Sequence, residues 1–95
     1  MMPHLQWSRA AQADLERLQV FIAKYDEAAS WRALRRIMTA VKSLTTNTHQ
    51  GRRYRGMNDV RELMVPYGAR GYIVRYQVRE DAILIVRVWH GREDR

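Results

Sequence analysis

The chain of 95 residues has no cysteine, two prolines and one phenylalanine, and only two of its 17 basic residues, Lys24 and Lys42, are lysine. Each scarcity closes a class of explanation. Without thiols there is no disulfide framework, no thiolate nucleophile and no structural zinc site built on sulfur. The longest apolar run is the five residues Ala82–Val86, far short of the ~20 that a bilayer-spanning helix requires. Met1-Met2-Pro3-His4 has no basic segment leading into an apolar stretch, so no secretory leader is expected and the cytoplasm is the expected compartment. No repeat, low-complexity tract or linker interrupts the chain. A second core would leave each half too small to stabilise itself, so residues 1–95 read as one domain. His4 and His49 have no partners at metal-ligand spacing, and neither metal nor cofactor is expected.

What is present is arginine, fifteen residues of it, in a chain of net charge +7 and 46% hydrophobic content. That hydrophobic share sets the chain apart from disordered polyelectrolytes. The guanidinium group is a planar fork that pairs carboxylate or phosphate through two hydrogen bonds and stacks on flat rings, which lysine does not. Residues 1–50 hold seven bases and four acids, and residues 51–95 hold ten bases and six acids. An excess spread this evenly predicts a charged face on a folded body and an anionic partner, either nucleic acid or an acidic protein. The competing reading is an ordinary solvated surface.

Periodicity divides the chain in two. Leu5 and Trp7 alternate with polar neighbours over residues 3–7, as in a short strand. Ser8 is placed to cap a helix, and Ala11, Leu15, Leu18, Ile22 and Tyr25 then recur every three or four residues. Asp26-Glu27 interrupts and restarts the pattern, with acids in the first turn of the second helix. Ala29 or Ala33, then Ile37, Met38, Val41 and Leu44, give that helix its apolar stripe, ending near Thr45. Thr45 to Tyr54 has no period and reads as a loop. Beyond it, Val60–Pro66, Tyr72–Arg79 and Ala82–Trp89 read as three strands, with Pro66, Gly68 and Gly71 in the first turn and Glu80-Asp81 in the second. The expected architecture is α+β: an N-terminal strand, an antiparallel helical hairpin, and a three-stranded antiparallel meander.

This order, with Trp7-Ser8, Ala13-Asp14-Leu15, Gly51-Arg52, Arg61-Glu62-Leu63, Gly71-Tyr72-Ile73-Val74-Arg75-Tyr76 and Ile85-Val86-Arg87-Val88-Trp89-His90-Gly91-Arg92, resembles the ParE/RelE toxins of bacterial type II toxin–antitoxin systems over essentially the whole chain. The resemblance implies a microbial-RNase-like fold, a cognate acidic antitoxin whose C-terminal segment wraps the toxin, and growth inhibition when the antitoxin is lost. RelE-like members cut messenger RNA on the ribosome, using cations that hold the scissile phosphate. At the positions matching two of their lysines this chain has Glu62 and Met64, and Ile73 replaces their arginine after the Gly-Tyr pair. Their C-terminal tyrosine has no counterpart here. ParE-like members poison DNA gyrase without chemistry of their own, and their late Val-x-His-Gly-Arg segment matches Val88-Trp89-His90-Gly91-Arg92. The resemblance therefore favours a gyrase toxin, as on plasmid-stabilising systems, over a ribonuclease. A toxin-derived module that only binds antitoxin is the third reading.

The site residues follow from these alternatives. A nuclease would draw on Glu62, Arg75, His90 and Arg92. An interface would draw on Trp31, Arg35, Arg52, Arg53, Arg61 and Arg92, since interfaces enrich arginine and exposed aromatics. Arg61 is read either as projecting toward target or antitoxin or as paired with Glu62 or Glu80. Gly51-Arg52-Arg53-Tyr54-Arg55, the densest basic run, is read as a contact to DNA phosphate or as a solvated loop. Trp7, Trp89, Tyr72 and Tyr76 are expected to pack in the core.

Overall fold

The structure is a computed structural model that describes residues 2–93. Ser8 ends strand β1 (His4–Trp7) and opens helix α1 (Arg9–Ala23). Its Oγ accepts from the Ala11 amide at 2.9 Å and donates to the Val86 carbonyl at 2.8 Å, so one hydroxyl both caps the helix and ties its start to the sheet. Asp26 repeats the device for α2 (Glu27–Ser43), accepting from the Ala29 amide at 3.1 Å. The remaining strands are β2 (Arg52–Arg53), β3 (Val60–Val65), β4 (Tyr72–Val78) and β5 (Ala82–His90).

They form one five-stranded sheet in the order β1-β5-β4-β3-β2, antiparallel except that β1 runs parallel to β5. The expected strand, hairpin and meander are all in place. One segment is corrected: residues 45–54, read as loop, contain β2, where Arg52 faces Glu62 and Arg53 faces Arg61 across the ladder. Two exposed arginines carry no alternating hydrophobic signal, and β3 alone supplies their pairing.

Both helices cover one face of the sheet. Ala11 and Leu18 of α1 and Ala33, Ile37 and Val41 of α2 meet Leu63, Val65, Val74, Ile83, Ile85 and Val88 in one apolar cluster. The alanines let the helices approach closely where larger side chains would hold them off the sheet. Tyr72 and Tyr76 join this cluster as expected, and Trp7 packs at its margin. Gly71, at φ +66°, takes the left-handed turn that brings the chain into β4.

A β-bulge decides which side chains reach the opposite, open face. Tyr76 pairs with Ile85 but Arg75 pairs with Arg87, leaving Val86 as an extra residue on β5. Simple alternation from Ile83 and Ile85 would carry Arg87 and Trp89 into the core. The bulge instead sends Val88 and His90 to the helix side and Arg87 and Trp89 to the open face. Trp89 is buried, as the sequence suggests, at only 6% exposure, but outside the core cluster.

Candidate macromolecular interface

The open face is built around Arg75. Its Nη2 and Nε donate to one carboxylate oxygen of Glu62 at 2.7 and 3.0 Å, and cross-strand register places the two residues opposite each other. The Arg75 guanidinium also stacks over Tyr54, 3.9 Å from the ring centroid, and lies 4.8 Å from that of Trp89. Arg87 approaches Trp89 from another side at 5.1 Å. The central cation is thus neutralised and fixed. On the same face Met64 is 59% exposed and Ile73 is buried, and neither carries charge.

A second charged cluster closes the seam between α1 and β5. Asp14 is 3% exposed and accepts from the Val88 amide at 2.8 Å, from Arg87 Nε at 2.7 Å and Nη2 at 3.0 Å, and from Arg17 at 3.1 Å. Burial pushes the Asp14 carboxyl up, but hydrogen bonds from Arg87, the Val88 amide and Arg17 outweigh it and hold the group below the usual carboxylate range. Arg17 Nη2 also reaches the Val88 carbonyl at 3.4 Å. Beyond β1, then, two helix side chains satisfy a strand edge that has no neighbouring strand. Glu93 completes the seam, accepting from Arg17 at 2.7 Å and from the His90 amide at 3.1 Å.

Beside Arg75, Arg52, Arg53, Tyr54 and Arg55 line a cleft of about 570 Å³ together with Glu62 and Glu93. Tyr76 sets the position of this arm. Its buried hydroxyl donates to the Thr48 carbonyl and accepts from the Gly51 amide, both at 2.9 Å. A Cβ on Gly51 would fall 2.7 Å from that hydroxyl and 2.9 Å from the Glu62 carbonyl, so only glycine fits there. Arg61 reinforces the arm by donating to the carbonyls of Gly51 and His49 at 3.0 and 3.3 Å and pairing with Asp59 at 3.1 Å. Arg61 therefore does not project toward a partner, nor does it pair with Glu62 or Glu80: its side chain is only 15% exposed and is engaged within the fold.

The nuclease set is not assembled. Glu62 and Arg75 meet on the open face. His90 packs edge-on against Tyr72, ring centroids 5.5 Å apart, on the helix side of the sheet. Its Nδ1 accepts from the Arg92 amide at 3.1 Å. Arg92 joins His90 in an apolar groove of about 460 Å³ lined by Leu18, Phe21, Ile22 and Tyr72. On the hairpin's outer side, Trp31 is 53% exposed, as the sequence suggests, and Arg35 is exposed on the same helix. Met38 lies with Trp31 in the groove between the helices, and Val20, Phe21 and Tyr25 of α1 and its following turn are further exposed apolar side chains.

Comparison with known proteins matches this arrangement. A family model described as the ParE toxin of type II toxin-antitoxin system, parDE, covers residues 5–95. The chain belongs to the ParE toxin family. Toxin RelE3 of Caulobacter vibrioides is 32% identical over 94 residues, covering 99% of this chain and all of that protein. Toxin RelE1 of the same organism is 32% identical over 85 residues, covering 90% and 89%. Among solved structures, the chromosomal ParDE system from P. aeruginosa superposes with a TM-score of 0.75 at 25% identity, over 94% of this chain and 96% of that one. The toxin–antitoxin complex RelBE of E. coli shares the fold, with a TM-score of 0.55 at 17% identity over 98% and 99% of the two chains.

Within this ParE-family toxin, sequence reasoning missed three features. Asp14 stood out only as part of a matching tripeptide, although an acid on an otherwise apolar helix face is a signal for a buried charge partner. Tyr54 gave no sign of stacking on Arg75, because the contact joins β4 to an arm with no periodicity. Phe21 sits outside the α1 stripe, and that off-face placement was the available clue to its exposure. Among the described residues no helix is long and apolar enough to cross a membrane.

Proposed function

We propose that this type II toxin acts on DNA gyrase and is neutralised by an acidic antitoxin, without cleaving RNA itself. One observation carries the reading: the Glu62 carboxylate holds the Arg75 guanidinium at 2.7 Å at the centre of the open sheet face. Phosphoryl-transfer chemistry on RNA needs uncompensated cations around the phosphate and a proton donor for the leaving oxygen. A carboxylate at that point neutralises the one arginine strand β4 provides, so no free cation is left there to hold a scissile phosphate. His90, the residue best suited to move a proton at neutral pH, lies on the other face. Poisoning an enzyme–DNA complex requires only an interface, and the exposed arginines and aromatics supply one.

The antitoxin's C-terminal segment would cover the hairpin surface of Phe21, Tyr25, Trp31 and Met38, with its acids opposite Arg35 and Arg92. Charge complementarity to a +7 toxin speeds such association. The test is a supercoiling reaction with purified gyrase and relaxed plasmid. Inhibition that the antitoxin reverses supports the proposal. Unimpeded supercoiling together with ribosome-dependent mRNA cutting supports the nuclease reading. Inactivity in both reactions, with the antitoxin still bound, supports a binding module alone.

A further inference from the structure

We propose that the cleft beside Arg75 is a binding site for the phosphodiester backbone of duplex DNA, with Arg52, Arg53 and Arg55 as its phosphate contacts. As a deepening of the gyrase reading, this makes the toxin touch the DNA of the gyrase complex directly. Three observations support it.

First, the arm's cations are uncompensated while its acids are engaged. The side chains of Arg52, Arg53 and Arg55 are exposed and have no ion pair or hydrogen bond among the described residues, whereas the two arginines on the adjoining strands, Arg61 and Arg75, are both paired. The two acids bordering the cleft already serve other groups: Glu62 holds Arg75, and Glu93 holds Arg17 and the His90 amide.

Second, the arm is held in place at a conformational cost. Arg55 adopts φ +41° and Asp59 φ +45°, left-handed values that non-glycine residues rarely take. Tyr76 and Arg61 fix the arm's other end through Thr48, His49 and Gly51. The arm thus meets a ligand already ordered, and binding there costs little conformational entropy.

Third, the cleft offers charge and not stacking, which selects the kind of nucleic acid. Proteins that hold single strands present bare aromatic faces to unstacked bases. Here Arg75 covers one face of the part-buried Tyr54 and lies near Trp89, which is 6% exposed, so no ring stands bare in the cleft. What remains accessible recognises a backbone whose bases are paired elsewhere.

The experiment is fluorescence anisotropy of a labelled 20-base-pair DNA duplex with the purified toxin, without gyrase, from about 50 to 200 mM salt. Single-stranded RNA of equal length runs in parallel. Three phosphate contacts predict a slope of log K against log salt near −2.7, from about −0.9 per contact. Replacing Arg52, Arg53 and Arg55 together by alanine is expected to lower affinity at least tenfold at 50 mM and flatten the slope to about −1 or shallower. The triple lysine variant keeps the slope, because the charge is retained, and loses less affinity than the alanine variant, because only the two-point hydrogen bonds of the guanidinium fork are gone. Removing three bases elsewhere, Arg9, Lys24 and Lys42, leaves the slope within about one unit of wild type. Circular dichroism melts confirm that each variant is folded. Tighter binding to the RNA strand, or an unchanged slope in the alanine variant, overturns the inference. The gyrase reading is separable. If the alanine variant inhibits gyrase as wild type does, this inference fails and that reading stands. If duplex binding follows the prediction while gyrase is unaffected, the reverse holds.

Discussion

The seam between α1 and β5 and the arm before β3 use the same side chain for opposite ends. In the seam, Arg17 and Arg87 surround the buried Asp14, and every charge has a partner. In the arm, Arg52, Arg53 and Arg55 stand in solvent. The net charge of the chain therefore says little about where its function lies. Guanidinium groups that close a strand edge contribute to stability, and those left unpaired are available to a ligand. The open sheet face lies between the two, its central arginine neutralised by Glu62 and stacked on aromatics.

Mutation should separate these regions by the size of the stability change. Asp14→Ala is expected to have the largest effect, about 2–3 kcal/mol, because it leaves the buried Val88 amide without an acceptor and removes charge-assisted hydrogen bonds. Arg17 and Arg87 keep side-chain exposures of 43% and 40% and can turn to water, which holds the loss below that of a fully buried pair. A fall in Tm of roughly 10–20 °C checks it, and a change under about 3 °C would erase the distinction drawn here.

Tyr76→Phe comes next, at about 1–3 kcal/mol, since both the Gly51 amide and the Thr48 carbonyl lose their partner. Its second signature is specific: hydrogen exchange should accelerate at the Gly51 amide more than at amides of the helices.

The pH dependence is smaller and has a definite sign. Asp14 has a folded-state pKa below its unfolded value, so its contribution is present above about pH 4 and lost as pH falls through the folded value. Asp59, where burial raises the pKa but hydrogen bonding and charge from Arg61 lower it further, adds in the same direction. Chemical denaturation of wild type and Asp14→Asn between pH 6 and 3 should therefore converge in acid, and parallel curves would contradict the seam's ionic character.

The smallest stability effect belongs to the arm. Alanine at Arg52, Arg53 and Arg55 should change stability by no more than about 0.5 kcal/mol per site in urea unfolding, as for exposed residues without partners. A larger loss would mean the arm is structural after all.

How far the sequence anticipates this molecule follows from the same physics. The helices were legible because Leu18, Ile37 and Val41 recur with helical period, because Ser8 is a cap by chemistry, and because Asp26-Glu27 breaks the pattern between them. Strand β4 was legible because Val74 and Tyr76 alternate with Arg75 and Gln77. The bulge at Val86 was not, since it leaves residue types unchanged and only reassigns faces. For that reason Trp89 and Arg87 arrive on the open face and His90 on the helix side, apart from Glu62 and Arg75. The parallel pairing of β1 with β5 joins residues nearly eighty positions apart and leaves no local trace. Arg61 reads in sequence like any surface arginine, and only the fold shows that carbonyls of the arm occupy it.

The mode of action proposed above is an interface contact, with no RNA cut at the open face. Its most direct test places purified toxin in two reactions side by side: mRNA-programmed ribosomes read by primer extension, and gyrase with plasmid DNA stopped by detergent and protease. Full-length transcript is expected in the first and linearised plasmid in the second. New cleavage ends on the transcript, with the plasmid left intact, would contradict it.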